Sequence, residues 1–247
     1  MIKFDIFTPT FLEKALIPYV VAGYPDLKRS EKILMDMIAA EVDALEIAVP
    51  FSDPTAEEPK IQTACGKALA KKITTDDVFE MVSRVRKNSK TQIPIIFVCY
   101  ANLILSRGID NFMKKCKDCG VTGLIITDVP YEERDEFYTA CKANGIYMIL
   151  SVTATSEGRI EKIAAAAEGY LKVFAPSIEA ARKTVETVRK TSQIPCVIHL
   201  ANLKREEAKE ISRFCNGVVL DEIIIDRIDD NSDWSMFIYG NKRNLNG

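Results

Sequence analysis

The sequence lacks several features that would assign it to a particular class of protein. It has no apolar run approaching the roughly 18 residues that a membrane-spanning helix needs, so we expect no membrane segment. Its 33 basic and 35 acidic residues give a net charge of -2, which provides no electrostatic case for nucleic acid as a partner. Residues 1–16 contain acidic side chains and no continuous apolar segment, so we expect no secretory signal.

Histidine is rare and the cysteines form no recognisable framework. The chain has one histidine and seven scattered cysteines, an odd number that suits a reducing cytoplasm better than a set of disulfides. Cys116 and Cys119 have a spacing known from redox and zinc sites, but no second pair accompanies them. Because they end a helix-like segment, we expect two unpaired thiols, a cytoplasmic protein and no metal site.

The sequence does have a regular alternation of short apolar runs and amphipathic segments. The runs are nearly continuously hydrophobic, which is typical of parallel strands buried on both faces. The predicted strands are 17–21, 44–49, 95–99, 124–127, 147–152, 171–174, 196–199 and 218–220. The predicted helices include 27–40, 75–87, 178–190 and 204–214.

Eight strand–helix units in a chain of this length predict an α/β fold, a single-domain (β/α)8 or TIM barrel. A doubly wound sheet is the alternative, but no Gly-x-Gly-x-x-Gly follows the first predicted strand. We expect the barrel to comprise residues 1–228. Residues 229–247 are a polar C-terminal tail, and we expect its end, residues 241–247, to be frayed.

Glu46 is the one charged side chain in the apolar run 44–49. An ionised carboxylate in a dry core costs several kcal/mol unless it is paired, so Glu46 serves either a buried partner or chemistry. Active groups of such barrels gather at the C-terminal ends of the strands, and Glu46 lies three residues before Pro50, which ends this strand. The long loop over 50–72 adds Glu57, and two carboxylates over one cavity can divide acid and base work.

The run DALEIAVPFSDPTAEEPKIQ at residues 43–62 resembles the signature of tryptophan synthase α subunits, and similar motifs are spread over the first half of the chain. They lie at 18–20, 23–25, 100–103, 108–110 and 128–130. The resemblance implies a lyase of tryptophan biosynthesis that cleaves indole-3-glycerol phosphate to indole and glyceraldehyde 3-phosphate by a retro-aldol reaction. It implies no cofactor, metal or Schiff base, and a hetero-oligomer with a β subunit that holds pyridoxal phosphate.

The resemblance also implies roles for individual residues. Glu46 matches the family's acid/base glutamate, which protonates the indole carbon, and Glu57 matches an aspartate that interacts with the indole nitrogen. The positions that match the lining of the indole pocket are Tyr19, Tyr100 and Thr127. The residues that match the surface facing the β subunit are Pro50, Phe51, Ser52, Asp53, Pro54 and Asn102.

The sequence departs from the family where the phosphate is expected. The family's glycine-rich loops after strands six, seven and eight are replaced here by residues 174–180, 199–203 and 221–223. Glycine lets the backbone approach a phosphate closely. Asp221 and Glu222 would also repel a dianion, by about 4 kcal/mol per unit of charge product at about 4 Å.

Further departures lie within the barrel. Glu57-Glu58 replaces an aspartate–glycine pair, and Lys172 replaces an aromatic residue on the sixth strand. If Lys172 points inward, we expect it to pair with Glu46 or Glu57. His199 ends the seventh strand, either as a hydrogen-bonded barrel residue or as a ligand contact.

Three interpretations follow from these matches and departures. The first is an active α-type lyase. The second is a catalytically impaired or inactive α-like subunit that docks on a β subunit and activates it. The third is a barrel rebuilt for a different ligand that lacks phosphate.

Overall fold

Parallel strands form a nearly closed barrel at the centre of the molecule. The computed structural model describes residues 6–156, 158–200, 205–230 and 233–247, with the backbone alone at 205 and 206. The nine described strands are β1 (Ala15–Val21), β2 (Leu45–Ala48), β3 (Ile95–Cys99), β4 (Gly123–Ile126), β5 (Tyr147–Met148), β6 (Leu150–Thr153), β7 (Leu171–Phe174), β8 (Cys196–His199) and β9 (Gly217–Leu220). The apolar runs of the sequence thus form the strands, within two residues of the predicted bounds at most ends.

The strand order shows how the barrel closes. It is β5-β4-β3-β2-β1-β9-β8-β7-β6, so both ends of the sheet belong to one short stretch of chain. The predicted fifth strand is split at Ile149: its first part, β5, pairs with β4, and its second part, β6, pairs with β7. The predicted (β/α)8 barrel is confirmed, with a fifth strand divided between two neighbours.

Helices surround the sheet and connect its strands. The described α-helices are α1 (Phe7–Thr10), α2 (Leu27–Ala39), α3 (Pro59–Ala70), α4 (Thr75–Asn88), α5 (Ala101–Leu105), α6 (Ile109–Cys119), α7 (Asp135–Asn144), α8 (Ile160–Ala166), α9 (Ile178–Val188), α10 (Arg205–Ile211), α11 (Glu222–Asp229) and α12 (Trp234–Asn246), with a 3₁₀ turn at Tyr131–Glu133. The helices predicted at 27–40, 75–87 and 178–190 are confirmed as α2, α4 and α9. The one predicted at 204–214 corresponds to α10, which ends earlier, and residue 204 lies outside the described residues.

Local side-chain chemistry fixes where these helices begin. The Asp26 carboxylate accepts a hydrogen bond from the Arg29 amide at 2.9 Å and caps α2. Thr74 and Asp77 form a reciprocal capping box at the start of α4. Each cap satisfies amide groups that the first helical turn leaves unpaired, so each begins a helix at a defined residue.

The C-terminal segment packs on the barrel, so the expectation that residues 241–247 are frayed is wrong. Helix α12 extends to Asn246 and contacts α2 and α10. Its buried face includes Phe237, Ile238 and Leu245. The polar residues Asn241, Lys242 and Asn244 are themselves half-buried, which is why composition alone was misleading. The division of the chain at residue 228 stays a prediction.

Two further expectations concern the state of the cysteines and the presence of membrane-spanning helices. All seven cysteines are buried free thiols, so the unpaired state predicted for Cys116 and Cys119 is confirmed. In the part of the chain that the structure describes, no helix is long and apolar enough to cross a membrane.

Candidate active site

The C-terminal ends of the strands and the loops after them enclose a cavity of about 540 Å³. This volume lies within the roughly 300–1,000 Å³ of small-molecule pockets, and the location is the one at which such barrels bind ligands. Side chains from several strands and from the loops after β2 and β4 line it. They include Tyr19, Glu57, Thr127, Lys172 and His199.

Glu46 and Lys172 form an ion pair across the interior of the barrel. Glu46 on β2 is fully buried, and its Oε2 accepts a hydrogen bond from Lys172 Nζ at 2.5 Å. Its Oε1 accepts a second hydrogen bond from Tyr170 Oη at 2.7 Å. Tyr170 and Lys172 are two residues apart, so the alternation along β7 directs both side chains inward. Lys172 therefore points into the barrel and pairs with Glu46.

The surroundings of this pair are aromatic and dry. Lys172 is 1% exposed, and its Nζ lies 5.3 Å from the ring centroid of Tyr19 and 5.0 Å from that of Phe174. Such contacts attract a cation. Burial and the adjacent Glu46 charge raise the pKa of the Tyr170 phenol well above its usual value, so Tyr170 stays protonated and donates to Glu46. Of the described residues, Lys172 lines the cavity and Glu46 does not.

Glu57 approaches the same cavity from the loop after β2. Its side chain is half-buried, and this burial raises the pKa of its carboxyl, although Lys172, Tyr19 and His199 act in the opposite direction. The Tyr19 hydroxyl is buried and makes no hydrogen bond of good geometry with a described residue, although Glu57 is close enough to act as its acceptor. Burial and the nearby Glu57 charge raise the pKa of that phenol. A buried hydroxyl with unused capacity suits a polar atom of a ligand.

Tyr100 fixes the conformation of the loop that carries Glu57. Its hydroxyl accepts a hydrogen bond from the Ala56 amide at 3.0 Å, and its ring stacks on that of Phe51 at 4.8 Å between centroids. The Gln62 side-chain amide donates to the Glu57 carbonyl at 2.8 Å. Tyr100 is not among the described residues that line the cavity, so its role as a pocket residue stays a prediction. The predicted pocket residues Tyr19 and Thr127 do line it.

His199 and Asp221 form a second buried pair at the ends of β8 and β9. His199 Nε2 and Asp221 Oδ2 are 2.5 Å apart, and Asp221 Oδ1 accepts a hydrogen bond from the Glu222 amide at 2.6 Å. Burial raises the pKa of the Asp221 carboxyl. The hydrogen bond to His199, the positive charge of His199 and the hydrogen bond from the Glu222 amide outweigh burial, so this pKa is lowered overall. Asp221 and Glu222 are both buried, and Asp221 caps α11.

Comparisons with known proteins now identify the family. Residues 10–238 match the family model described as tryptophan synthase alpha chain. The chain is 35% identical over 230 residues to the tryptophan synthase alpha chain of Petrotoga mobilis, covering 89% of this chain and 88% of that protein. This chain belongs to the tryptophan synthase alpha chain family. The alpha chain of Lacticaseibacillus casei is 34% identical over 224 residues, covering 87% of this chain and 84% of that one.

Solved structures agree with this assignment to the tryptophan synthase alpha chain family. A structure from Aquifex aeolicus VF5 superposes with a TM-score of 0.92 at 30% identity, covering 98% of this chain and 100% of that one. A tryptophan synthase alpha chain from Legionella pneumophila superposes with a TM-score of 0.88 at 26% identity, covering 98% and 97%. The fold and the family are therefore shown over nearly the whole chain.

The loops at which the resemblance places the phosphate are partly described in this chain. Helix α9 begins at Ile178, directly after β7, and the Ser177 hydroxyl accepts its capping bond from the Ala180 amide at 3.2 Å. At the start of α11 the carboxylate of Asp221 occupies the helix N-terminus, a position that otherwise favours a bound anion. Of the predicted loop at 199–203, residues 201–203 lie outside the described residues.

The residues predicted to face a β subunit differ in exposure. Ser52, Asp53 and Asn102 are exposed, and Phe51 and Pro54 are partly buried. Pro50 is buried in this chain. The role of this surface stays a prediction.

Tyr170 is the site residue that sequence reasoning missed. It lies just before the predicted strand 171–174, and its partner Glu46 is 124 residues away along the chain. The available signal was its position two residues before Lys172, because strand alternation places both on the same face.

Proposed function

We propose that this chain catalyses the alpha reaction of tryptophan synthase, the retro-aldol cleavage of indole-3-glycerol phosphate to indole and glyceraldehyde 3-phosphate. Family membership supports the reaction. One observation supports where it occurs: Lys172, which is paired with the buried Glu46, and Glu57 both line the barrel cavity. The interpretation as an inactive docking subunit is not favoured, because the matched relatives are named as tryptophan synthase alpha chains.

The two carboxylates divide the proton transfers of this proposal. Cleavage breaks the bond between the indole ring and the glycerol chain, so the ring carbon must receive a proton and the adjacent hydroxyl must lose one. We assign delivery of the proton to the Glu46 pair, which is shielded from water. We assign to Glu57 the interaction with the indole nitrogen, because the raised pKa of the Glu57 carboxyl makes its carboxylate a stronger hydrogen-bond acceptor and base.

A β subunit completes the proposal. A structure from Mycobacterium tuberculosis with the same fold, 23% identical to this chain, is described as tryptophan synthase. Ser52, Asp53 and Asn102 are exposed, and the surface around them suits the docking of such a partner. We place the assembly in the cytoplasm, in keeping with the seven free thiols.

The direct test is indole release from indole-3-glycerol phosphate, measured with and without a related β subunit. We expect release that the β subunit accelerates and that falls by at least about 10²-fold in Glu46→Gln. Absence of release, even with a β subunit demonstrably bound, would overturn the proposal. Asn102→Asp is the matched surface change, and we expect it to weaken β binding without altering release by the isolated chain.

A further inference from the structure

Lys172 lies where an amine can act on a ligand. It lines the cavity, yet it is 1% exposed, and the rings of Tyr19 and Phe174 flank its Nζ. Proteins use a lysine as a nucleophile when its amine is withdrawn from water and has a base beside it to take its proton. Glu46 provides that base at 2.5 Å.

The position of Glu46 strengthens this point. The carboxylate contacts Lys172 and Tyr170 but does not line the cavity in the described part of the chain, so a ligand meets the lysine first. Tyr170 holds one oxygen of Glu46, which leaves the other aimed at Lys172 Nζ. A base fixed by a third group in this way is the arrangement that activates a nucleophile.

The remaining polar groups of the cavity suggest the ligand. The Tyr19 hydroxyl and His199 Nδ1 are both buried without a hydrogen bond of good geometry to a described residue, and both side chains line the cavity beside Glu57. They suit hydroxyl or carbonyl oxygens of a ligand. The carboxylate of Asp221 is bonded to His199 Nε2, so Nδ1 is the ring nitrogen that is left for a ligand.

We propose that Lys172 forms a Schiff base with a small hydroxylated aldehyde or ketone bound in the barrel cavity. This activity goes beyond the proposed function, whose family chemistry needs no imine. It rests on the lysine that stands where the family has an aromatic residue.

Glu46 and Lys172 can complete the step without another reagent. Glu46 accepts a proton from the Lys172 ammonium, and the neutral amine forms a nitrogen–carbon bond to the carbonyl carbon. The carbonyl oxygen gains one proton from that nitrogen and a second from Glu46. The carbon–oxygen bond then breaks and water leaves, which yields the protonated imine and returns Glu46 to its carboxylate. Nothing is oxidised or reduced.

Reductive trapping tests the proposal. The intact protein is incubated separately with glycolaldehyde and with dihydroxyacetone in the presence of cyanoborohydride, and modified lysines are mapped by peptide mass spectrometry. We expect Lys172 to be labelled at least about tenfold faster than exposed Lys183, since only Lys172 has an adjacent buried base. Labelling of Lys172 no faster than that of Lys183 with both probes would overturn the proposal.

Variants separate a reactive lysine from a merely accessible one. Glu46→Gln should slow labelling of Lys172 by about 10²-fold and leave labelling of Lys183 unchanged. Lys183→Met is the control, because it removes an exposed lysine and should leave labelling of Lys172 unaltered. The comparison within the unmodified protein remains decisive if Glu46→Gln does not fold. Equal labelling of Lys172 in folded Glu46→Gln would refute the role of the carboxylate.

The outcome is independent of the lyase assay. Indole release without trapping at Lys172 would refute this inference and leave the proposed function intact. Trapping at Lys172 without indole release would refute the proposed function and support a carbonyl ligand of another kind.

Discussion

The stability of this barrel should depend on Glu46 and Lys172 as a pair rather than on either alone. Lys172→Met removes the ammonium and keeps a similar volume, so it leaves the Glu46 carboxylate with Tyr170 as its remaining described donor. Both side chains are at most 1% exposed, so bulk water solvates the remaining carboxylate poorly. Removal of one partner of such a buried pair costs about 3–5 kcal/mol.

The double variant tests this reasoning. Glu46→Gln alone leaves an unpaired buried ammonium and should cost a similar amount. Glu46→Gln with Lys172→Met leaves no charge, and the new amide can still accept the bond from Tyr170. We expect the loss of unfolding free energy in the double variant to be smaller than the sum of the two single losses by roughly 3 kcal/mol or more.

Urea unfolding followed by circular dichroism measures these free energies. The slope with denaturant should stay constant while the midpoint falls, since the folded barrel is retained. Lys183→Met breaks an exposed ion pair with Glu179 and should not move the midpoint. Single losses that simply add in the double variant would refute the coupling.

The remaining predictions concern other parts of the molecule. Glu57→Gln should lower indole release by about 10²-fold or more, whereas Glu58→Gln, at an exposed position, should leave it unchanged in the same assay. Because the pKa of Asp221 is lowered from its ordinary 3.8, its contribution to stability is present above that pH and is lost as pH falls through the lower folded value. Asp221→Asn should therefore be less stable than the parent in chemical unfolding at pH 7, and the difference should narrow below pH 3.8. Ile238→Ala should lower the free energy of unfolding by about 2–5 kcal/mol, because Ile238 is a buried residue of α12. Tyr239 is 69% exposed, so Tyr239→Ala should change it by no more than about 0.5 kcal/mol. Equal losses for the two variants in unfolding titrations would contradict the packing of α12.

The barrel was predictable because its strands are buried on both faces. Their short apolar runs stand out between amphipathic helices, and periodicity alone locates them. The split at Ile149 was not predictable, because an apolar run does not reveal where pairing passes from β4 to β7. The packing of α12 on the barrel was not predicted for a related reason, because composition does not show which face of a helix is buried.

The site was predictable only in part, since its decisive contacts join distant residues. A glutamate inside an apolar strand identified Glu46 as a special position, and Lys172 was recognised as a candidate partner. The choice between Glu46 and Glu57 as that partner depends on geometry across the barrel, over a separation of 126 residues, which no local pattern encodes.

Two of the buried carboxylates in the barrel are each held in a pair with a basic side chain, and this determines which polar groups remain for a ligand. Glu46 is held by Lys172 and Tyr170, and Asp221 by His199 and the start of α11. A ligand that competed for either carboxylate would have to leave a buried charge unpaired, which is costly. Among the described groups that line the cavity, the Tyr19 hydroxyl and His199 Nδ1 are buried without a hydrogen-bond partner of good geometry, and the Glu57 carboxyl faces the same space. These three groups can therefore meet polar atoms of a substrate. Only a molecule able to react with Lys172, by accepting its proton or binding its nitrogen, gains from opening the ion pair.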